Sequence, residues 1–274
     1  MQDQAELLAR IAAALERIAP TDGTTTDWLS APAYVWNLAG GRAVSAIEAP
    51  PLDLLRGIDR QKAAATENVR RLSQGSEAHD MLLWGARGMG KSALVRSAVA
   101  SAQAGDSSIA LVQVGADAVP TLPILFARLG QVERNFLVFI DDLGFADGDS
   151  ISPRHLRSWL DGGVEARPAN VRLAVTSNRR AILPRDGGEQ DGPINPRDAV
   201  DDNLALADRF GLSLGFHNAS QDDYLTILRG YASEYGLPLD EADALEWARR
   251  RGARSGRIAW HYIRELAGRA GRRL

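Results

Sequence analysis

The chain has 274 residues, 45% of them hydrophobic and 24% charged, enough for one α/β domain with a small accessory domain and a substantial core. Its net charge of −3 selects neither nucleic acid nor an anionic membrane as partner, and the lack of cysteine excludes disulfides and thiolate metal sites. No apolar run nears the ~20 residues of a membrane span, and MQDQAELLAR lacks the pattern of a signal peptide, so a cytoplasmic protein without a membrane partner is expected.

In chain order, Leu7, Leu8, Ile11, Leu15 and Ile18 recur at spacings of three and four, which predicts an amphipathic helix over 4–19, ended by Pro20-Thr21-Asp22-Gly23. It reads equally as a partner helix and as a helix packed on its own domain. Residues 21–56, with Trp28, Tyr34 and Trp36, form a mixed segment to which the pattern assigns no role. From Gly57 the pattern is regular. Helices are predicted at 59–74, 91–103, 121–130 and 153–162, and strands at 81–85, 109–114, 136–141, 171–177 and 212–216. Strands alternating with helices imply a parallel, five-stranded sheet covered on both faces. Residues 184–203, rich in Pro, Gly and Asp, read as a long surface loop, either disordered or a functional insertion. After Phe216 only helices are predicted, at 220–235, 240–250 and 256–270. The expected organisation is therefore a helix at 1–20, a mixed segment at 21–56, an α/β domain at 57–216 and a small helical domain at 217–274. The four His residues (His79, His155, His217 and His261) lack ligand spacing, which argues against a metal cluster.

The strongest chemical signal is GARGMGKS at 85–92, which follows GxxxxGK[ST] and lies between a predicted strand and a predicted helix. Gly85, Gly88 and Gly90 allow tight turns and close approach to phosphate, and successive N–H groups form an anion nest at a helix N-terminus. The loop Gly85, Ala86, Arg87, Gly88, Met89, Gly90, Lys91, Ser92 and Ala93 is thus expected to cradle ATP. Lys91 is expected to reach the β- and γ-phosphates, and Ser92 to ligate Mg²⁺. Only two of the chain's 32 Lys and Arg residues are Lys, and one stands at the position that this loop requires.

FLVFIDD at 136–142 is an apolar strand that delivers two acids to its C-terminal edge. Asp141 is assigned to the Mg²⁺ shell and Asp142 to the attacking water. AVTSNRR at 174–180 ends another strand in Thr176, Ser177 and Asn178, and Asn178 is the candidate for positioning the water. Taken alone, it also reads as a strand-to-turn Asn. LADRFGL at 206–212 places Arg209 before the last strand, as an arginine finger for a neighbouring copy or as an ion-pair partner of Asp208. RRRGARSGR at 249–257 places Arg254 and Arg257 at a helix start from which they can bend over the phosphates, Arg254 first and Arg257 as fallback.

These five elements, in this order, resemble the AAA+ ATPase superfamily. Asp208-Arg209-Phe210-Gly211 resembles the arginine-finger segment of branch-migration motors, and GAR at 252–254 is similar to the sensor-2 motif of protein-unfolding rings. GIDRQKAAATENVRRL, LLWGARGMGKSALV, DDLGF, EARPANVRLAVTSNRR, LADRFGLSLGF and RRGARSGR together resemble a narrower bacterial family, domain of unknown function 815, from about Ala33 to the C-terminus. The resemblance implies a P-loop fold with a helical lid, Gly57 and Ile58 near the adenine, and no particular substrate. Asp141-Asp142 departs from the usual Asp-Glu of the superfamily by one methylene, which implies slow hydrolysis. Met89 stands where the family has Thr, at a position expected to face away from the phosphates.

The leading expectation is an ATP-hydrolysing protein that forms a homo-oligomer and remodels a protein partner. The alternatives are an ATP-dependent switch or scaffold with little hydrolysis, and a nucleic-acid motor or loader. Nine Arg against one acid in 249–274 supply a local basic face, but nothing like aromatic-interleaved base readout accompanies it, so nucleic acid is not the favoured partner. A small-molecule kinase would need a substrate lid rich in paired Arg close to the loop, which the motifs at 206–257 do not supply.

Overall fold

The computed structural model describes residues 26–105, 107–143, 167–178 and 209–274. The predicted helices at 4–19 and 153–162 and the loop at 184–203 lie outside these residues.

The sheet has seven strands: β1 (Ala33–Asn37), β2 (Gly40–Val44), β3 (Met81–Gly85), β4 (Ala110–Val114), β5 (Phe136–Ile140), β6 (Val171–Ser177) and β7 (Leu212–Phe216), in the order β2-β1-β4-β5-β6-β3-β7. All neighbours run parallel except β1 and β2. The five predicted strands are present and adjacent, but the expected count of five was too low. The segment left without a role, 21–56, supplies a hairpin whose first strand pairs with β4, Ala33 opposite Leu111. Asn37 Oδ1 accepts the Ala39 N–H and Gly40 takes φ +114°, which closes the tight turn. Trp28, Tyr34 and Trp36 pack together beneath this edge, and Trp36 Nε1 donates to Thr121 Oγ1 at 2.8 Å.

Period-two alternation feeds two apolar layers. On β5, Phe136, Val138 and Ile140 join one cluster, and Leu137 and Phe139 the other. Every residue of β5 is buried, as a strand covered on both faces requires. Helices α1 (Asp59–Ser73) and α2 (Lys91–Ala104) cover the second layer through Ala65, Val69, Leu72, Leu94, Val95 and Val99. Helix α3 (Leu122–Leu129) covers the first through Leu122, Leu125, Phe126 and Leu129.

The C-terminal helices α4 (Gln221–Tyr235), α5 (Glu241–Arg250) and α6 (Gly256–Arg269) form a third apolar cluster around Tyr224, Leu228 and Tyr262. Each starts on a side-chain cap, Ser220 with a capping box to Asp223, Asp240 and Ser255. Leu54, in the strap that runs from the hairpin to α1, is buried in this third cluster, whereas Leu55 and Ile58 are buried in the sheet's second layer.

Candidate functional site

The phosphate loop follows β3 and opens α2. Gly85 takes φ +118° against β7, where a Cβ would stand 2.1 Å from the Phe216 carbonyl oxygen, so no side chain fits. Gly90 caps α2 in the left-handed region, φ +90°, and the loop's backbone wraps the N-terminus of that helix. Lys91 is 5% exposed. Its ammonium donates to the carbonyls of Gly85 at 2.9 Å and Ala86 at 2.8 Å, and to Asn178 Oδ1 at 3.0 Å. Burial pushes its pKa below the ordinary 10.5, against the pull of Asp142 and Asp141, while Arg257 and Arg87 add to the lowering.

The acids stand where β5 ends, beside β6. Ser92 Oγ donates to Asp141 Oδ1 at 2.5 Å, and Thr176 Oγ1 donates to the same oxygen at 2.6 Å. Thr176 Oγ1 also accepts the Asp142 N–H at 2.8 Å. Asp142 has φ +53°, the one non-glycine in the left-handed region among the described residues, and its carboxylate accepts from Asn178 Nδ2. A hydroxyl and a carboxylate oxygen at this separation are hard donors of the kind Mg²⁺ selects when phosphates complete its shell, so Ser92 and Asp141 fit the expected ion.

These groups line a cleft of about 800 Å³. It is also lined by Leu55 and Ile58, next to Gly90, and by Ile227, Tyr231, Tyr235 and Trp260, with ring centroids 5.2 Å apart for Tyr231–Trp260 and 5.8 Å for Tyr235–Trp260. The size and the mixture of apolar walls with a few convergent polar groups suit a small-molecule ligand. The start of α6 rests on the loop: Arg257 N–H donates to the Gly88 carbonyl at 3.0 Å, and a Cβ on Gly88 would meet Ser255 Oγ at 2.9 Å.

The structure gathers Gly88, Met89, Gly90, Lys91, Ser92, Ala93, Asp141, Asp142, Asn178, Ile58 and Arg257 around this cleft. Gly85 and Ala86 lie behind it and hold Lys91. Arg87, within the loop, is exposed. Met89 is 7% exposed and belongs to the sheet's second apolar layer as well as to the cleft wall. Gly57, at φ +75°, sits next to Asp223 and outside the cleft lining. Of the two lid arginines, Arg257 lines the cleft, while Arg254 precedes the Ser255 cap and lines a separate depression of about 610 Å³ with Asn218, Gln221 and Arg249. Arg209 is half-buried just before β7, at the end of the sheet away from the loop. The sequence reading missed the Tyr231, Tyr235 and Trp260 wall. The i,i+4 spacing of the two tyrosines on one helix was the available signal.

A strand, glycine loop and helix, with acids at the end of a strand two places along the sheet and a helical lid over the cleft, define a AAA+ P-loop fold. The chain belongs to the DUF815 family (protein of unknown function), whose profile matches residues 29–270. It is similar to the Thermotoga maritima RuvB Holliday junction branch migration motor, at 19% identity and TM-score 0.52, over 81% of this chain and 66% of that one. It is also similar to the Aeropyrum pernix Orc1 protein solved in complex with DNA, at 18% identity and TM-score 0.55, over 83% of this chain and 66% of that one. The chain thus spans just under two thirds of either structure, and at such identities the likeness is one of fold. No curated protein matches the chain.

Proposed function

We propose that the protein binds and hydrolyses ATP with Mg²⁺, assembles as a homo-oligomer, and uses the cycle to remodel or regulate a protein partner. The observation that carries this reading is the convergence of Lys91, Ser92, Asp141, Asp142 and Asn178 from three strand ends onto one cleft. Residues 57–216 are the nucleotide-binding part and 217–274 the lid. The Lys91 ammonium exchanges its two carbonyl contacts for the β- and γ-phosphate oxygens. Ser92 and Asp141 hold the Mg²⁺, which supplies charge neutralisation on the phosphates. Asp142 takes the proton of the attacking water, and Asn178, in contact with both Lys91 and Asp142, orients that water. The base lies toward Ile58, Tyr231 and Trp260, and Arg257 covers the phosphates from the lid.

Arg209 serves a neighbouring copy. β3 and β7 pair from Met81–Leu212 to Gly85–Phe216. The start of β7 therefore lies about 13 Å along the strands from the phosphate loop, at ~3.3 Å per residue, and Arg209 precedes that start.

A protein partner is preferred to nucleic acid because much of the basic face is already engaged within the lid. Arg249 and Arg250 pair with Glu246, Arg269 with Asp243 and Glu265, and Arg251 lies 3.4 Å over the Trp247 ring. The switch reading rests on Asp142, whose short side chain is already engaged by Asn178. Turnover of ATP by purified protein separates switch from motor. The test of the site itself is Lys91→Ala, which is expected to weaken ATP binding at least ~10-fold while the fold is retained. Unchanged affinity by calorimetry would sink the assignment.

A further inference from the structure

We propose that Thr176 is a positioning residue that sets both acids of the site through one hydroxyl. The inference rests on the ATPase reading for its consequence, but its geometry stands in the chain alone. Thr176 is 1% exposed on β6, between β5 and β3. β5 ends at Ile140, so Asp141, Asp142 and Leu143 have left the strand ladder. One threonine holds all three. Its hydroxyl donates to Asp141 Oδ1 at 2.6 Å and accepts the Asp142 N–H at 2.8 Å, and its carbonyl accepts the Leu143 N–H at 2.8 Å.

A hydroxyl has one proton. Because Thr176 accepts from the Asp142 amide, that proton is directed to Asp141, and the two contacts fix each other's sense. The amide contact fixes Asp142 in the left-handed backbone region, φ +53°, a region that Asp enters more readily than most L-residues. That turn carries the Asp142 carboxylate to Asn178. Ser92 donates to the same Asp141 oxygen, but a Ser92 hydroxyl that serves a metal must turn its lone pair outward. Thr176 is the contact that persists when the site is loaded. It aligns the metal-side acid and the water-side acid from the cleft wall, through hydrogen bonds to those acids.

Three proteins decide this: wild type, Thr176→Val, which keeps the shape and loses the hydroxyl, and Thr176→Ser, which keeps the hydroxyl. In nucleotide-free protein, hydrogen exchange at the Asp142 amide is expected to accelerate at least ~10-fold in Thr176→Val and to stay near wild type in Thr176→Ser. Mn²⁺ affinity of the ADP-bound protein, followed by electron paramagnetic resonance, is expected to fall about 10–100-fold in Thr176→Val, as for other residues that orient metal ligands. ADP affinity without divalent ion is expected to be unchanged. Thr176→Ala provides the same readouts where the valine variant does not fold. Wild-type exchange and wild-type Mn²⁺ affinity in a folded hydroxyl-free variant would overturn the proposal. Failure of wild-type protein to bind nucleotide would instead overturn the reading of the site, and the Asp142 exchange would still decide the role of Thr176.

Discussion

The two walls of the cleft are built on different principles. On the sheet wall, every chemical group is tied by side-chain hydrogen bonds to a neighbouring strand or to the loop, and Lys91 is almost fully buried. On the lid wall, Tyr231, Tyr235 and Trp260 present aromatic surface from helices whose own core is separate from the sheet's layers. The start of α6 meets the loop through one main-chain bond, Arg257 to Gly88. The sheet wall is therefore preorganised for charge, as transition-state stabilisation requires, and the lid wall is free to adjust as a unit around a base.

The strongest way to break this comparison is to show that the sheet wall is complete in a single copy. Arg209→Lys is expected to bind ATP normally and to hydrolyse it about 10³–10⁵-fold more slowly, because lysine lacks the planar fork. Mixing it with Lys91→Ala is expected to restore part of the activity, since some interfaces then join an intact loop to an intact Arg209. A mixture that stays inactive while mixed oligomers form, or a dilute monomer with full activity, returns Arg209 to a structural role. Next in size, Asp142→Asn is expected to keep ATP affinity and to lose about 10²–10⁴-fold in hydrolysis, measured as phosphate release, if Asp142 is the base. Wild-type turnover would move the role to another acid.

A smaller effect tests the contact between the walls. Gly88→Ala places a Cβ against Ser255 and Arg257 at φ +74°, a conformation that costs an L-residue about 1–2 kcal/mol. ATP affinity is expected to fall about tenfold by calorimetry, with little change in turnover at saturation. An unaltered affinity would mean that the lid does not rest on the loop in the ligand-bound protein. The smallest effect is protonic. Burial lowers the Lys91 pKa in the empty site, whereas phosphate favours the charged amine. Binding of ATP is therefore accompanied by proton uptake at alkaline pH and weakens as pH rises through the pKa of the empty site. Calorimetry in two buffers of different ionisation heat reads the uptake. Proton release on binding, as the pH is raised toward the ordinary lysine value of 10.5, would contradict the sign.

Much of this was legible because it is local. The glycine spacing of 85–92 and the apolar run before Asp141 and Asp142 specify their own geometry within a few residues. What was hidden depends on register or on a cap. Thr176 matters only because β6 pairs with β5 so that its hydroxyl reaches both acids. The choice between Arg254 and Arg257 follows from Ser255 capping α6, which leaves one arginine before the helix and one inside its first turn. The hairpin Ala33–Val44 escaped because its second strand, GGRAV, carries neither alternation nor β-branched residues beyond Val44, and its first strand pairs far along the chain, Ala33 with Leu111.

The strap at Leu54 and Leu55 has a mechanical meaning. Two consecutive side chains are riveted into different plates, one into the helical bundle and one beneath the sheet. At this point the chain has no slack, so a shift of the lid against the sheet is taken up as torsion in the peptide units around Leu54 and Leu55, ten residues after the hairpin ends at Val44.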